Sequence, residues 1–135
     1  MSDRENRIDE LIRAAKAGDA AAQCNLGWCY DEGDGVEVDH EKSFYWYTRS
    51  AEAGNATAQF NLAMCYELGT ETEIDCKKAF YWYKKSAEQG DQHAICQLGI
   101  FYEEGIGCDP DPVKAVEFYR KAGEMGNSLA VNRLG

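Results

Sequence analysis

The chain has 135 residues, with 24 acids set against 14 Lys and Arg, for a formal net charge of −10. That length suits one domain burying roughly two thirds of its unfolded surface, and the charge argues against nucleic acid and anionic membranes, whose phosphates are met by clustered Lys and Arg. No apolar run approaches the roughly 18 residues of a membrane span and the start, MSDRENRIDELIRAAK, has no apolar secretion segment, so a soluble, cytoplasmic protein is expected.

Two prolines, few β-branched runs and apolar positions at helical spacing predict an all-helical chain. Residues 4 to 16 carry Ile8, Leu11, Ile12 and Ala15 on one face, after a capping box fitted by Ser2 and Glu5, and the sequence assigns 3–17 to an N-terminal capping helix that Gly18 ends.

From there the chain repeats itself, and the period decides the fold. Gly18, Gly54, Gly90 and Gly126 are 36 residues apart, as are Ala22, Ala58, Ala94 and Ala130, and Leu26, Leu62, Leu98 and Leu134. The same step relates Tyr30, Tyr66 and Tyr102; Gly33, Gly69 and Gly105; Asp39, Asp75 and Asp111; Lys42, Lys78 and Lys114; and Tyr47, Tyr83 and Tyr119.

Each period reads as two helices and two turns. Asp19, Asn55, Asp91 and Asn127 follow the first glycine set, so the glycine can end one helix in the left-handed conformation while the next residue caps the following helix. The first helix, about 20 to 32, carries Ala22, Leu26 and Tyr30 and ends at Gly33. Asp39, Asp75 and Asp111 are placed to cap the second helix, which carries Phe44, Tyr47 and Ala51 beside Trp46 and Ser50. Gly27 becomes Ala63 and then Gly99, so this site needs a small side chain, and two helices are expected to cross closely there. The domain therefore divides into the capping helix, repeats 20–55, 56–91 and 92–127, and a partial repeat 128–135, expected to be a stub or the remnant of a longer array.

Ala22, Leu26, Gly27, Tyr30, Gly33, Gly35, Val36, Asp39, Lys42, Trp46, Tyr47, Ala51 and Gly54 make the first copy resemble the SLR family, the Sel-one-like repeats, relatives of the tetratricopeptide repeats. The third copy matches through Ala94, Leu98, Gly99, Tyr102, Gly105, Gly107, Asp111, Lys114, Phe118, Tyr119 and Gly126, whereas the second reads Gly69-Thr70-Glu71-Thr72 in its loop, so a local difference is expected there. The resemblance implies an α/α solenoid, a right-handed superhelix of antiparallel helix pairs, and an adaptor role in protein assemblies. In a secreted, disulfide-rich branch of the family, associated with β-lactam compounds, the cysteines stand where this chain has Gln23 and Ala51.

The six cysteines form no C-x-x-C pair and read as reduced packing residues rather than metal ligands or disulfides. His40 and His93 lack a catalytic partner repeated in register, and DEGDGVEVDHE lacks the register of an EF-hand loop. No enzyme, metal or cofactor is expected. Loops 31–41, 67–75 and 103–111 hold six, four and four of the acids and no Lys or Arg, giving an electronegative edge that either steers a basic partner or only aids solubility.

If the first helices line a concave wall, Trp28, Phe60, Met64 and Ile100 form an apolar stripe along it, with Asn25, Asn61 and Gln97 as an amide row. Asp31, Glu67, Glu103 and Glu104 would favour basic residues at its rim. The function expected is a non-enzymatic adaptor, a monomer or weak self-associator, that binds a basic or amphipathic peptide or helix of a partner protein. The alternatives are a small-molecule-binding or hydrolytic protein like the secreted branch, and a self-assembling scaffold; Phe60 and Ile100 could equally pack between repeats.

Overall fold

The computed structural model describes residues 3 to 135, and among these residues it is all helical, with no strand. The capping box of Ser2 and Glu5 lies outside the described residues and side chains. Eight helices follow one another: α1 (Asp3–Lys16), α2 (Ala20–Glu32), α3 (His40–Glu52), α4 (Ala56–Leu68), α5 (Cys76–Glu88), α6 (Gln92–Glu104), α7 (Pro112–Glu124) and α8 (Ser128–Leu134). They form two compact units, one ending at Leu62 and one beginning at Ala63.

The helix starts follow the sequence. Asp19, Asn55, Asp91 and Asn127 accept a hydrogen bond from the backbone N–H three residues on, at Ala22, Ala58, Ala94 and Ala130. Asp39, Asp75 and Asp111 do the same for Lys42, Lys78 and Lys114 at 3.0–3.1 Å. Each such cap is worth about 1 kcal/mol. Between one helix and the next cap, Gly18, Gly54, Gly90 and Gly126 all hold φ near +100°, a conformation that a Cβ would strain.

In the first unit, Ala15, Ala22 and Leu26 form a core against which Leu11, Ile12, Tyr30 and Trp46 pack. Gly27 lies under Tyr47: a Cβ there would fall 2.8 Å from the ring, so the small residue permits the close α2–α3 crossing that the sequence predicts. Ser50 donates to the carbonyl of Ala20 at 2.6 Å, fixing the same pair of helices at their other end.

The second unit repeats the device, with Gly99 under Tyr119. Tyr83, Phe101, Leu98 and Ile95 are completely or almost completely buried, and Tyr83 meets Phe101 edge to face at 5.3 Å. Each apolar side chain of this size contributes about 1.5–3 kcal/mol by burial. The expected difference in the second loop is one of residue rather than of backbone: Glu71 takes φ 59°, as Gly35 and Gly107 do at φ 79° and 67°, at a steric cost of about 1–2 kcal/mol.

Candidate functional site

In the first unit, α1 presents Arg7, Glu10 and Leu11, and α2 presents Asn25, Trp28 and Cys29; with Asp34 from the following loop they enclose an open cleft of about 520 Å³. Both helices use the i, i+3, i+4 spacing that sets three side chains on one face. Trp28 is 49% exposed, Leu11 is half-buried and Cys29 is buried. Across the mouth, the Arg7 guanidinium donates to Asp34 Oδ1 at 3.2 Å. Burial pushes the Cys29 thiol above its ordinary pKa, Asp34 pushes it further and Arg7 opposes them, which places both charges within electrostatic reach of the cleft.

At this spot the first unit departs from the repeat. Moving 72 residues along the chain, two periods, carries Arg7, Glu10, Leu11, Cys29 and Asp34 onto Ala79, Trp82, Tyr83, Phe101 and Ile106. In the second unit Tyr83 and Phe101 are both buried and fill the register that Leu11 and Cys29 leave open. A small pair has replaced an aromatic pair, and charges have replaced apolar neighbours.

Of the residues picked out in the sequence, Asn25 and Trp28 line this cleft, while Asp31 sits nearby as the hydrogen-bond partner of His40 Nδ1 at 3.0 Å. Phe60 and Asn61 are half-buried in α4 of the first unit. In the second unit Met64 is exposed, and Ile100 and Gln97 are half-buried. Glu67 and Glu103 accept hydrogen bonds from the hydroxyls of Tyr83 and Tyr119 at 2.7 and 2.6 Å, so both carboxylates also hold the scaffold. Arg133 lies 3.6 Å from Glu103, and Glu104 is exposed.

Arg7, Glu10, Leu11, Cys29 and Asp34 were not among the sequence candidates. Their signal was there: aligning α1 with the later second helices shows Glu10-Leu11 where Trp46-Tyr47 and Trp82-Tyr83 stand.

All six cysteines are free thiols; Cys24, Cys29 and Cys96 are buried, and burial raises Cys24 to about 11, the opposite of what a thiolate nucleophile needs. Among the described residues no group of three or more His, Cys, Asp or Glu converges to hold a metal ion, and no helix is long and apolar enough to cross a membrane.

The family model described as Sel1 repeat matches residues 20–55, 56–91 and 92–127. A Sel1 repeat protein from Oxalobacter formigenes is 37% identical over 95% of this chain and 96% of its own, with a TM-score of 0.89. The protein c5321 of uropathogenic Escherichia coli, a protective antigen displaying an SLR fold, is 36% identical over 98% of this chain, with a TM-score of 0.93. This chain spans only 28% of that protein's length. The cysteine-rich protein B of Helicobacter pylori shares the fold at 23% identity, over 93% of this chain and 95% of its own, with a TM-score of 0.72. No curated protein matches the chain.

Proposed function

The chain belongs to the Sel1 repeat family, an all-α family of solenoid proteins that generally serve as protein-interaction modules, and from that premise we propose that it is a non-enzymatic adaptor that takes a peptide or helix of a partner protein at the cleft between α1 and α2. The observation that carries the reading is Trp28. It stands half exposed at the cleft, and no contact of the repeat scaffold requires an indole at a register filled by Met64 and Ile100 in the other copies. Exposed aromatic anchors of this kind supply a large share of binding energy at protein interfaces. Asn25 beside it offers an amide that can pair with a peptide backbone, and the acids Asp31, Glu67, Glu103 and Glu104 favour a partner with basic residues.

Selecting a random peptide library on the immobilised protein tests this. Peptides recovered on the wild type should bind Trp28→Ala at least about 30-fold more weakly, the effect of losing one hot-spot residue, with the melting temperature unchanged. If the recovered peptides bind Trp28→Ala as tightly as the wild type, the cleft is not the site. Met64→Ala, tested in parallel, asks whether the exposed methionine of the second unit contributes to recognition.

A further inference from the structure

We propose that the solvent face of α5, formed by Lys77, Tyr81, Lys84 and Lys85, is a further docking surface, and that it takes an acidic segment of a partner protein. It lies wholly in the second unit and does not depend on Trp28.

Helical spacing and charge define the face. Residues 77, 81, 84 and 85 follow the i, i+4, i+7, i+8 step that keeps side chains on one side of a helix. All four are exposed, Tyr81 at 50%. The same registers hold Glu41, Tyr45, Thr48 and Arg49 in α3, and Val113, Glu117, Arg120 and Lys121 in α7. Of these three helices, α5 alone gathers three cations there with no acid among them.

Helix stability does not ask for this arrangement. Lys85 lies in the last turn, where the helix dipole favours a cation, and α3 and α7 place Arg49 and Lys121 there too. Lys77 lies in the first turn, where the dipole opposes a positive charge and where α3 has Glu41. The scaffold does not ask for it either. Lys78 makes the contact that the repeat keeps, with Nζ 5.3 Å from the Tyr66 ring centroid, whereas Lys77 and Lys84 form no ion pair among the described residues. Lys85 stands over Tyr81 with Nζ 5.6 Å from the centroid, and Trp82 meets the same ring edge-on at 5.0 Å, so the exposed ring is oriented by its neighbours.

Charge complementarity selects the occupant. Lys77, Lys78, Lys84 and Lys85 against Glu88 give α5 a charge of +3, and the rest of the chain carries the other −13. A second copy, a membrane or a nucleic acid would bring an extended negative surface against that remainder. A short acidic segment meets the patch alone, because charges more than about 10 Å away are largely screened at physiological salt. Lys77 and Lys84 are seven residues apart, about 10 Å along the helix axis, a span that an extended peptide covers in about three residues. The segment that fits therefore has carboxylates three residues apart and an apolar side chain between them to lie on Tyr81.

Fluorescence anisotropy of a labelled, capped peptide, Gly-Glu-Glu-Leu-Ala-Glu-Glu-Gly, tests this beside the same peptide with glutamine at its four glutamates. The glutamate peptide should bind at low salt and weaken at least about tenfold on raising the salt from about 0.05 to about 0.5 M. Lys77→Glu should weaken it about tenfold, and Lys84→Gln combined with Lys85→Gln by a similar factor. Arg120→Glu makes the same change of charge at the α7 register of Lys84 and should alter binding less than about twofold. Lys77→Glu should leave the melting temperature unchanged or higher, since glutamate suits a first turn, so its loss of binding is not a loss of fold. Equal binding of the glutamine peptide, equal losses in Lys77→Glu and Arg120→Glu, or no binding of the glutamate peptide at low salt would each overturn the docking face. Phosphatidylserine vesicles that pellet the wild type but not Lys77→Glu would make a membrane the occupant and overturn the peptide. Trp28→Ala should bind the glutamate peptide as the wild type does; a loss there would put the peptide at the cleft and overturn the α5 face, whereas the library selection bears on the cleft alone.

Discussion

The α1–α2 pair of the first unit and the α5–α6 pair of the second follow one 36-residue plan and finish it differently. In the second, Tyr83 and Phe101 close the space between the helices with buried rings at 5.3 Å; in the first, Leu11 and Cys29 occupy those registers and a cleft is left. The buried position 23 shows the same contrast. Gln23 donates to the carbonyl of Ala15 at 3.0 Å while its own amide oxygen is buried without a hydrogen-bond partner, whereas Ile95 packs at 0% exposure with no polar atom to satisfy. The repeat thus tolerates variation in what fills an interior position as long as the turns and caps are kept, so one copy can border an open cleft at a register where another holds packed rings.

The sharpest way to break this comparison is to truncate both sides of it. Phe101→Ala should cost about 3–5 kcal/mol, because it removes a buried ring and leaves a closed cavity beside Tyr83. Cys29→Ala, at the same register, should cost about 1 kcal/mol, since its neighbours already border an open cleft. Urea unfolding of the two variants measures both. Equal losses would mean that Cys29 is as tightly enclosed as Phe101 and that the cleft owes nothing to the smaller side chain.

What the sequence reveals and what it hides divides along the same line. Caps and turns were legible because each depends on a residue and its neighbours within a few positions: Asp39, Asp75 and Asp111 cap as expected, and Gly27 and Gly99 make room for Tyr47 and Tyr119. The repeat registers were legible because a periodic core needs the same side-chain volumes at the same step. The roles of Glu67 and Glu103 were only half visible. Read as rim acids, they also accept tyrosine hydroxyls from residues 16 further on, a contact that depends on how two helices cross. The cleft was hidden for a different reason. Arg7 and Glu10 look like ordinary solvated polar residues until α1 is laid over the later second helices, and Asp34 until its loop is laid over the loop after α6, when each proves to stand at a register that is apolar in the second unit.

The tyrosine–glutamate pairs give the next prediction, of intermediate size. Burial first, and then the hydrogen bond and charge of Glu103, push the Tyr119 hydroxyl well above its ordinary pKa, and Glu67 acts likewise on Tyr83. In the unfolded chain each ionises near its ordinary value of about 10. A folded pKa raised above the unfolded one means that the stabilisation is complete below about pH 10 and is lost as pH rises beyond it, by about 1.4 kcal/mol per pH unit for each tyrosine that ionises only on unfolding. Tyr119→Phe should therefore cost about 1 kcal/mol at neutral pH and make the alkaline decline shallower. In the first unit the matching acid, Asp31, bonds His40 instead, so Asp31→Asn should leave the alkaline decline unchanged. Melting curves across the alkaline range separate the two, and an unaltered slope in Tyr119→Phe would show that the Glu103 bond does not govern the ionisation.

The smallest effect concerns a feature that both units keep. Lys42 lies over the Tyr30 ring and Lys114 over the Tyr102 ring, each with Nζ 5.3 Å from the ring centroid. The lysine follows the capping aspartate by three residues, so the turn that sets the cap also aims the ammonium at the preceding helix. Exposed cation–π contacts contribute about 0.5–1 kcal/mol, and methionine keeps the length and apolar stem of lysine while removing the charge. Lys42→Met and Lys114→Met should thus each destabilise by that amount and agree with one another. They should agree even though Tyr102 is also stacked on Phe118 at 5.4 Å and met edge-on by Phe80 at 5.5 Å: those neighbours fix the ring but do not change the distance to the charge. If Lys114→Met proved clearly costlier, the aromatic neighbours would be strengthening the contact, and the two units would differ in their turns as well as in their interiors.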